Sequence, residues 1–382
     1  MIQLGPLSAV HDHPMEQLRQ TLDQLRLALI GAGCGPHHMT GMVWATTEPA
    51  LFDPADLTVD LAYREVFAGF RPPITVEWAA PGSPRLSIRA EAQRPAPPPA
   101  GALWRGYDLP NLIREYSPRV QVPAVAPIFT RCREEGAAFL SAHTHREIAY
   151  GAGPRERLDL LRPTGIAEPR LHVFIHGGYW QAMDKGNHVQ FTRAFLEAGY
   201  AVAALNYSLV PDKPLDGLVE EIRAALAFLW RQAPALGLAQ LPFDLAGHSA
   251  GGHLGAMAVA TDWTAQGLPP DLVGTATLLS GLYELEPLTH LPMAALLGLD
   301  RVRAHHLSPT HLPAPATRIL LAVGELESDE FKHQTALLGE AWHIPAERRQ
   351  IVPGRNHFTI VDEFAEGPLA LAALANAAPS VI

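Results

Sequence analysis

The chain has 382 residues, 48% of them hydrophobic and 18% charged, which is enough for two average domains with buried cores. A formal charge of −10 argues against non-specific binding to nucleic acid or to an anionic membrane surface. No apolar run approaches the ~18 residues of a membrane span, and MIQLGPLSAVHDHP lacks the basic start of a signal peptide, so a cytoplasmic protein is expected.

In chain order, Leu18, Leu22, Leu25, Leu27, Ala28 and Leu29 predict a helix with one apolar face, ended by Gly31 and Gly33. His38 to Thr47 reads as a strand and Asp56 to Phe67 as a second helix. Ile74 to Ala79 and Arg85 to Ala92 read as two strands joined by the turn Pro81-Gly82-Ser83. This is an α+β pattern. It ends at RPAPPPAGA, Arg94 to Ala102, whose four prolines predict an extended linker between domains 1–93 and 103–382.

After a polar, partly helical stretch up to Ala149, short apolar runs alternate with helical patterns. The runs are Leu171–Ile175, Ala201–Leu205, Phe243–Ala246, Val273–Leu279 and Ile319–Val323; Leu218–Trp230 is one of the helical patterns. Such alternation predicts an α/β domain, a mostly parallel sheet with helices on both faces.

The segment Phe243–Ala260 contains Gly247-His248-Ser249-Ala250-Gly251, a G-x-S-x-G between a strand and a helix. A nucleophile on so sharp a turn needs small neighbours, which makes Ser249 the candidate nucleophile. A serine hydroxyl needs a base. His357, in Asn356-His357-Phe358 after the last strand Gln350–Pro353, stands where the chain order Ser, acid, His puts it. Four carboxylates follow Ile319–Val323; Glu327 is preferred, with Asp329 and Glu325 behind it. In His176-Gly177-Gly178-Tyr179-Trp180, the glycines let backbone N–H groups approach a developing oxyanion. Gly177, Gly178 and Ala250 are the expected donors, while His176, Tyr179, Trp180 and His248 are expected beside the substrate. The two cysteines, Cys34 and Cys132, have no metal-ligand spacing, and no metal or organic cofactor is implied.

HGGYW followed by GHSAGGHL resembles the kynurenine formamidase (arylformamidase) branch of the α/β hydrolases. The segments YGAGPRERLDLLRP, LNYSLVP, SGLYELEPL and GELESDEF agree, and the resemblance runs from about Tyr107 to the C-terminus. It implies an α/β-hydrolase fold cleaving a small formyl amide or a related amide or ester. It also implies a triad acid at Glu327, where the family more often carries Asp. Residues from about Val10 to Gln93 are similar to the Rid (reactive intermediate deaminase, YjgF-like) family, through QLRQTLDQLRLALIGAG, HMTGMVWATT and ITVEWAAPGSPRLSIRAEAQ. That resemblance implies a chorismate-mutase-like α+β fold and a homo-oligomer, a trimer through this domain or else a dimer. The family's N-terminal hairpin is reduced to MIQLGPLSAV, and its carboxylate-binding arginine falls near Pro73, with Arg71 two residues away. The domain is therefore expected to be a silent assembly module. The alternatives are a general carboxylesterase or amidase, and a bifunctional hydrolase that also deaminates an enamine or imine.

Overall fold

A computed structural model describes residues 1–94, 101–122 and 124–377. It contains two compact units, Met1–Gly101 with Gln181–Met183, and Ala102–Trp180 with Asp184–Ile382. Most of the proline-rich segment expected as a linker lies outside the described residues, at 95–100.

In the first unit, β1 (Ile2–Leu7) precedes helix α1 (Pro14–Gly31), β2 (Met39–Thr46), helix α2 (Leu57–Phe67), β3 (Ile74–Trp78) and β4 (Leu86–Ala92). Leu18, Leu22, Leu25 and Leu29 recur on one face of α1 and are wholly buried against Trp44, Ile88 and Ala90 of the sheet. Each contributes roughly 1.5–3 kcal/mol by leaving water. Asp56 caps α2 by accepting from the amides of Thr58 at 2.8 Å and Val59 at 3.2 Å. The two strands expected on either side of Pro81-Gly82-Ser83 are present. The sheet order is β1-β4-β2-β3, so the strands flanking Pro81-Gly82-Ser83 are not hydrogen-bonded to each other. Instead β2 lies between them, parallel to β3 and antiparallel to β4. Burial explains the arrangement: β4 alternates strictly between buried and outward-facing residues, so its apolar face suits the centre of a sheet covered by helices on one side.

The second unit is built on an eight-stranded sheet. Its strands are β5 (His145–Ala149), β6 (Arg157–Leu161), β7 (Leu171–Ile175), β8 (Ala201–Leu205), β9 (Phe243–His248), β10 (Val273–Leu279), β11 (Arg318–Gly324) and β12 (Arg349–Val352). The order is β12-β11-β10-β9-β7-β8-β6-β5, parallel from β12 to β8, with β6 antiparallel to its neighbours. The strands expected from apolar runs are all present. β5 and β6 escape that reading because HREIA and RLDLL carry charges at the sheet's edge. His172, the one polar residue of β7, is buried and bonds Asp244 of β9 at 2.5 Å, while Thr275 of β10 donates to the other Asp244 oxygen, also at 2.5 Å. These three side chains thus form one hydrogen-bonded chain across three strands.

The direction of strand succession reverses between β7 and β9. Loops leaving their carboxyl ends diverge there, which opens a crevice of the kind where parallel α/β sheets hold their sites.

Candidate active site

Ser249 stands between β9 and the helix Ala250–Val259, as the helix N-cap, with φ 56° and ψ −118°. A side chain in that conformation is strained, and the flanking residues show how it is accommodated. A Cβ on Gly247 would collide with the Gly251 carbonyl, and one on Gly251 would collide with the Ile175 carbonyl and lie 2.6 Å from that of His176. Across the crevice, a Cβ on Gly177 would lie 3.1 Å from Ser249 Cβ. Three glycines therefore let the nucleophile elbow and the loop after β7 close on each other.

His357 Nε2 lies 2.9 Å from Ser249 Oγ, and Nδ1 lies 2.7 Å from Glu327 Oε2. A carboxylate only accepts, so the neutral ring carries its proton on Nδ1 and offers Nε2 as the acceptor for the serine hydroxyl. All three residues are buried. Asn356 holds the histidine in a tight turn, its Oδ1 accepting from the amides of Phe358 at 2.9 Å and Thr359 at 3.1 Å. Phe331 and Phe358 flank the ring, with centroids 4.5 and 5.4 Å away.

Of the competing carboxylates, Glu327 alone meets His357. Glu325 is exposed and accepts from the Gly354 amide at 2.8 Å, whereas exposed Asp329 begins the next helix. Glu327 Oε1 accepts from Ser280 Oγ at 2.5 Å and from the Gly324 amide at 2.7 Å. Ser280 was not among the residues expected at the site, although it opens the SGLYELEPL segment. It follows β10 directly, with φ 49°, and the register of β10 beside β11 delivers it to the acid. No spacing in the sequence announces that contact.

The loop after β7 turns through three successive positive φ values, 111° at Gly178, 55° at Tyr179 and 58° at Trp180. Among the described residues, no hydrogen-bond acceptor faces the amides of Gly178 or Ala250. They remain available to an anion beside Ser249, and the Ala250 amide lies at a helix N-terminus.

Three of the four residues expected beside substrate turn to the protein instead. His176 Nδ1 bonds the Gly177 carbonyl at 2.7 Å and its ring stacks on Tyr207, centroids 4.4 Å apart. His248 Nε2 bonds the His357 carbonyl at 2.8 Å. Trp180 is wholly buried, edge-on to His253 at 5.0 Å. Trp180 is carried inward by the positive-φ stretch of the loop, whereas His176 directly precedes that stretch and His248 is the last residue of β9. Tyr179 is half-buried, and its hydroxyl donates to the Tyr116 carbonyl at 2.9 Å. Burial, reinforced by nearby His357, holds His248 well below the usual histidine range, so it stays neutral behind the catalytic-type pair. Among the described residues no cluster of histidine, cysteine or carboxylate groups could hold a metal, and no helix is long and apolar enough to cross a membrane.

Residues 158–269 match the BD-FAE family model. The chain is 29% identical over 282 residues to the kynurenine formamidase of Salmo salar, an alignment covering 69% of this chain and 94% of that one. With the kynurenine formamidase of Danio rerio it shares 28% over 279 residues, at the same coverage. Among solved structures, a protein from Silicibacter sp. superposes with a TM-score of 0.62 at 28% identity, over 69% of this chain and 98% of the other. The second unit is an α/β-hydrolase fold, and the chain is a serine hydrolase of small amide or ester substrates.

Proposed function

We propose that the chain is an arylformamidase, which removes the formyl group from an N-formyl aromatic amine through an acyl-enzyme on Ser249. In this reading Ser249 Oγ attacks the formyl carbon while His357 Nε2 takes its proton. The amides of Gly178 and Ala250, with Gly177 beside them, stabilise the tetrahedral oxyanion. His357 then protonates the departing arylamine nitrogen, and formyl-Ser249 remains. Water, deprotonated by His357, attacks the ester and releases formate. Glu327 keeps the imidazole in its working tautomer and stabilises the imidazolium. The observation that carries the reading is the hydrogen-bonded chain Ser249–His357–Glu327 at a strained elbow. The formyl amide is favoured by a likeness to kynurenine formamidases that extends over 94% of the Salmo salar chain.

The test compares kcat/KM on N-formyl-kynurenine and on p-nitrophenyl acetate for the native chain and for Ser249→Ala. The amide is expected to be the better substrate and the variant inactive on both. Preference for the ester alone would make the chain a general carboxylesterase, and an active Ser249→Ala would end the nucleophile assignment.

For the first unit we propose a Rid-like assembly module without deaminase activity. Arg71 supports this: it precedes β3, and its guanidinium is engaged by Asp60 and lies over the Tyr63 ring at 5.6 Å. Light scattering should give a homo-oligomer, a trimer or a dimer. Ammonia release from an enamine by the Ser249→Ala protein would instead favour a bifunctional enzyme.

A further inference from the structure

We infer that Tyr207, together with the ring of His176, is a positioning device that aims the oxyanion-binding amide of Gly178. The inference rests on the reading of Ser249 as nucleophile.

A backbone amide can stabilise an oxyanion only if its peptide plane is held in one orientation before the charge appears. The loop that carries Gly178 would not hold that orientation unaided. Its three consecutive positive φ values include two at residues with side chains, Tyr179 and Trp180, and such conformations persist only where the surroundings impose them. The surroundings here can be named. Tyr207, two residues beyond β8, is wholly buried. Its hydroxyl donates to the His176 carbonyl at 2.8 Å and also approaches the Gly177 carbonyl at 3.3 Å. That second carbonyl also accepts from His176 Nδ1 at 2.7 Å, and the two rings stack nearly parallel, at 14°.

The Gly177 carbonyl and the Gly178 N–H belong to one planar trans peptide unit and point in opposite directions. His176 Nδ1–H, with the Tyr207 hydroxyl as a longer, shared contact, holds the carbonyl on the protein side and so directs the N–H to the other side, toward the elbow. Tyr207 is itself anchored. Its carbonyl accepts from Arg155 Nε at 2.8 Å, and three residues on, the Val210 amide donates to the Trp180 carbonyl at 2.8 Å. The segment after β8 thus grips the oxyanion loop at both ends of its strained stretch. A bystander core tyrosine would need only one partner for its hydroxyl. This one spans the two carbonyls that precede the amide in question.

The test is Tyr207→Phe, which removes one hydroxyl and keeps the ring stacked on His176. p-Nitrophenyl acetate serves as substrate and phenylboronic acid as a mimic of the tetrahedral intermediate, with fluorophosphonate labelling of Ser249 run in parallel. The expected result is a fall in kcat of about tenfold with KM within about twofold, because the hole acts on the transition state and not on bound substrate. The inhibition constant of phenylboronic acid should rise by the same factor as kcat falls. His176→Gln, which alters the second donor to the same carbonyl, should give the same signature and provides the test if Tyr207→Phe does not fold. Unchanged kcat and boronate affinity in either folded variant overturn the inference, as does a loss that appears in KM with kcat preserved. Failure of the fluorophosphonate to label Ser249 in the native protein would instead overturn the underlying nucleophile reading.

Discussion

Replacing Glu327 with Gln changes the carboxylate by one atom and should nearly abolish turnover. The Gly324 amide, 2.7 Å from Oε1, is a backbone donor that cannot reverse, whereas the Ser280 hydroxyl can. The glutamine oxygen must therefore occupy the Oε1 position, which leaves its NH2 at the Oε2 position, 2.7 Å from His357 Nδ1. An NH2 group only donates, so Nδ1 must become the acceptor and the ring proton moves to Nε2. Nε2–H then faces Ser249 Oγ at 2.9 Å and cannot take the serine's proton. A wrong tautomer of this kind costs about four orders of magnitude in kcat, or roughly 5 kcal/mol of transition-state stabilisation. KM should stay within about threefold, because no substrate contact is altered. The assay is steady-state kinetics at pH 7 to 8 on N-formyl-kynurenine and p-nitrophenyl acetate, beside Glu325→Gln and Asp329→Asn as controls expected to stay within about twofold. A Glu327→Gln enzyme within about tenfold of native would refute the tautomer argument. A large loss in either control would transfer the acid's role to that residue.

Gly251→Ala should lower kcat by two orders of magnitude or more and reduce stability by about 2 kcal/mol, since the new methyl collides with backbone carbonyls of β7 and its loop that have no rotamer to escape into. Chemical denaturation and kinetics on the purified variant check this, and native-like activity would show that the elbow tolerates a side chain there. Stability should also depend on pH in a definite direction. Burial holds His188 and His253 at about 4, against about 6.5 in an unfolded chain. Below pH 6.5 the unfolded state takes up protons that the folded state refuses, so their contribution is present above pH 6.5 and disappears as pH falls toward 4. The slope is about 1 kcal/mol per pH unit for each group. A Tm measured from pH 8 to 4.5 should fall steeply below 6.5, and a flat profile from 7 to 5 would contradict it.

Much of the site was legible in the sequence, because the chemistry there constrains the backbone as well as the side chains. A strained turn between a strand and a helix demands glycines at fixed offsets, so Gly247, Ser249 and Gly251 announce themselves without any tertiary information. The same holds for Gly177 and Gly178, where the loop must approach the elbow. The alternation of buried strands and amphipathic helices likewise implied the parallel sheet, since each element has to bury its own apolar face.

Other features depended on how distant segments meet. Sequence order left Glu325, Glu327 and Asp329 as competitors, and the path of the loop after β11 brings only one of them to His357. Ser280 reaches that acid through the register of β10 against β11, and Tyr207 reaches the oxyanion loop through the register of β8 against β7. Neither serine nor tyrosine has a local pattern that would reveal this. The same limit applies to the strands joined by Pro81-Gly82-Ser83, which do not pair because β2 lies between them. It also applies to His176, His248 and Trp180, which flank the reacting groups in sequence yet bond to or pack against protein groups. Local sequence records where the backbone must bend and which face is apolar. Which side chains then share a hydrogen bond is set by strand order and register, and those are properties of the assembled sheet.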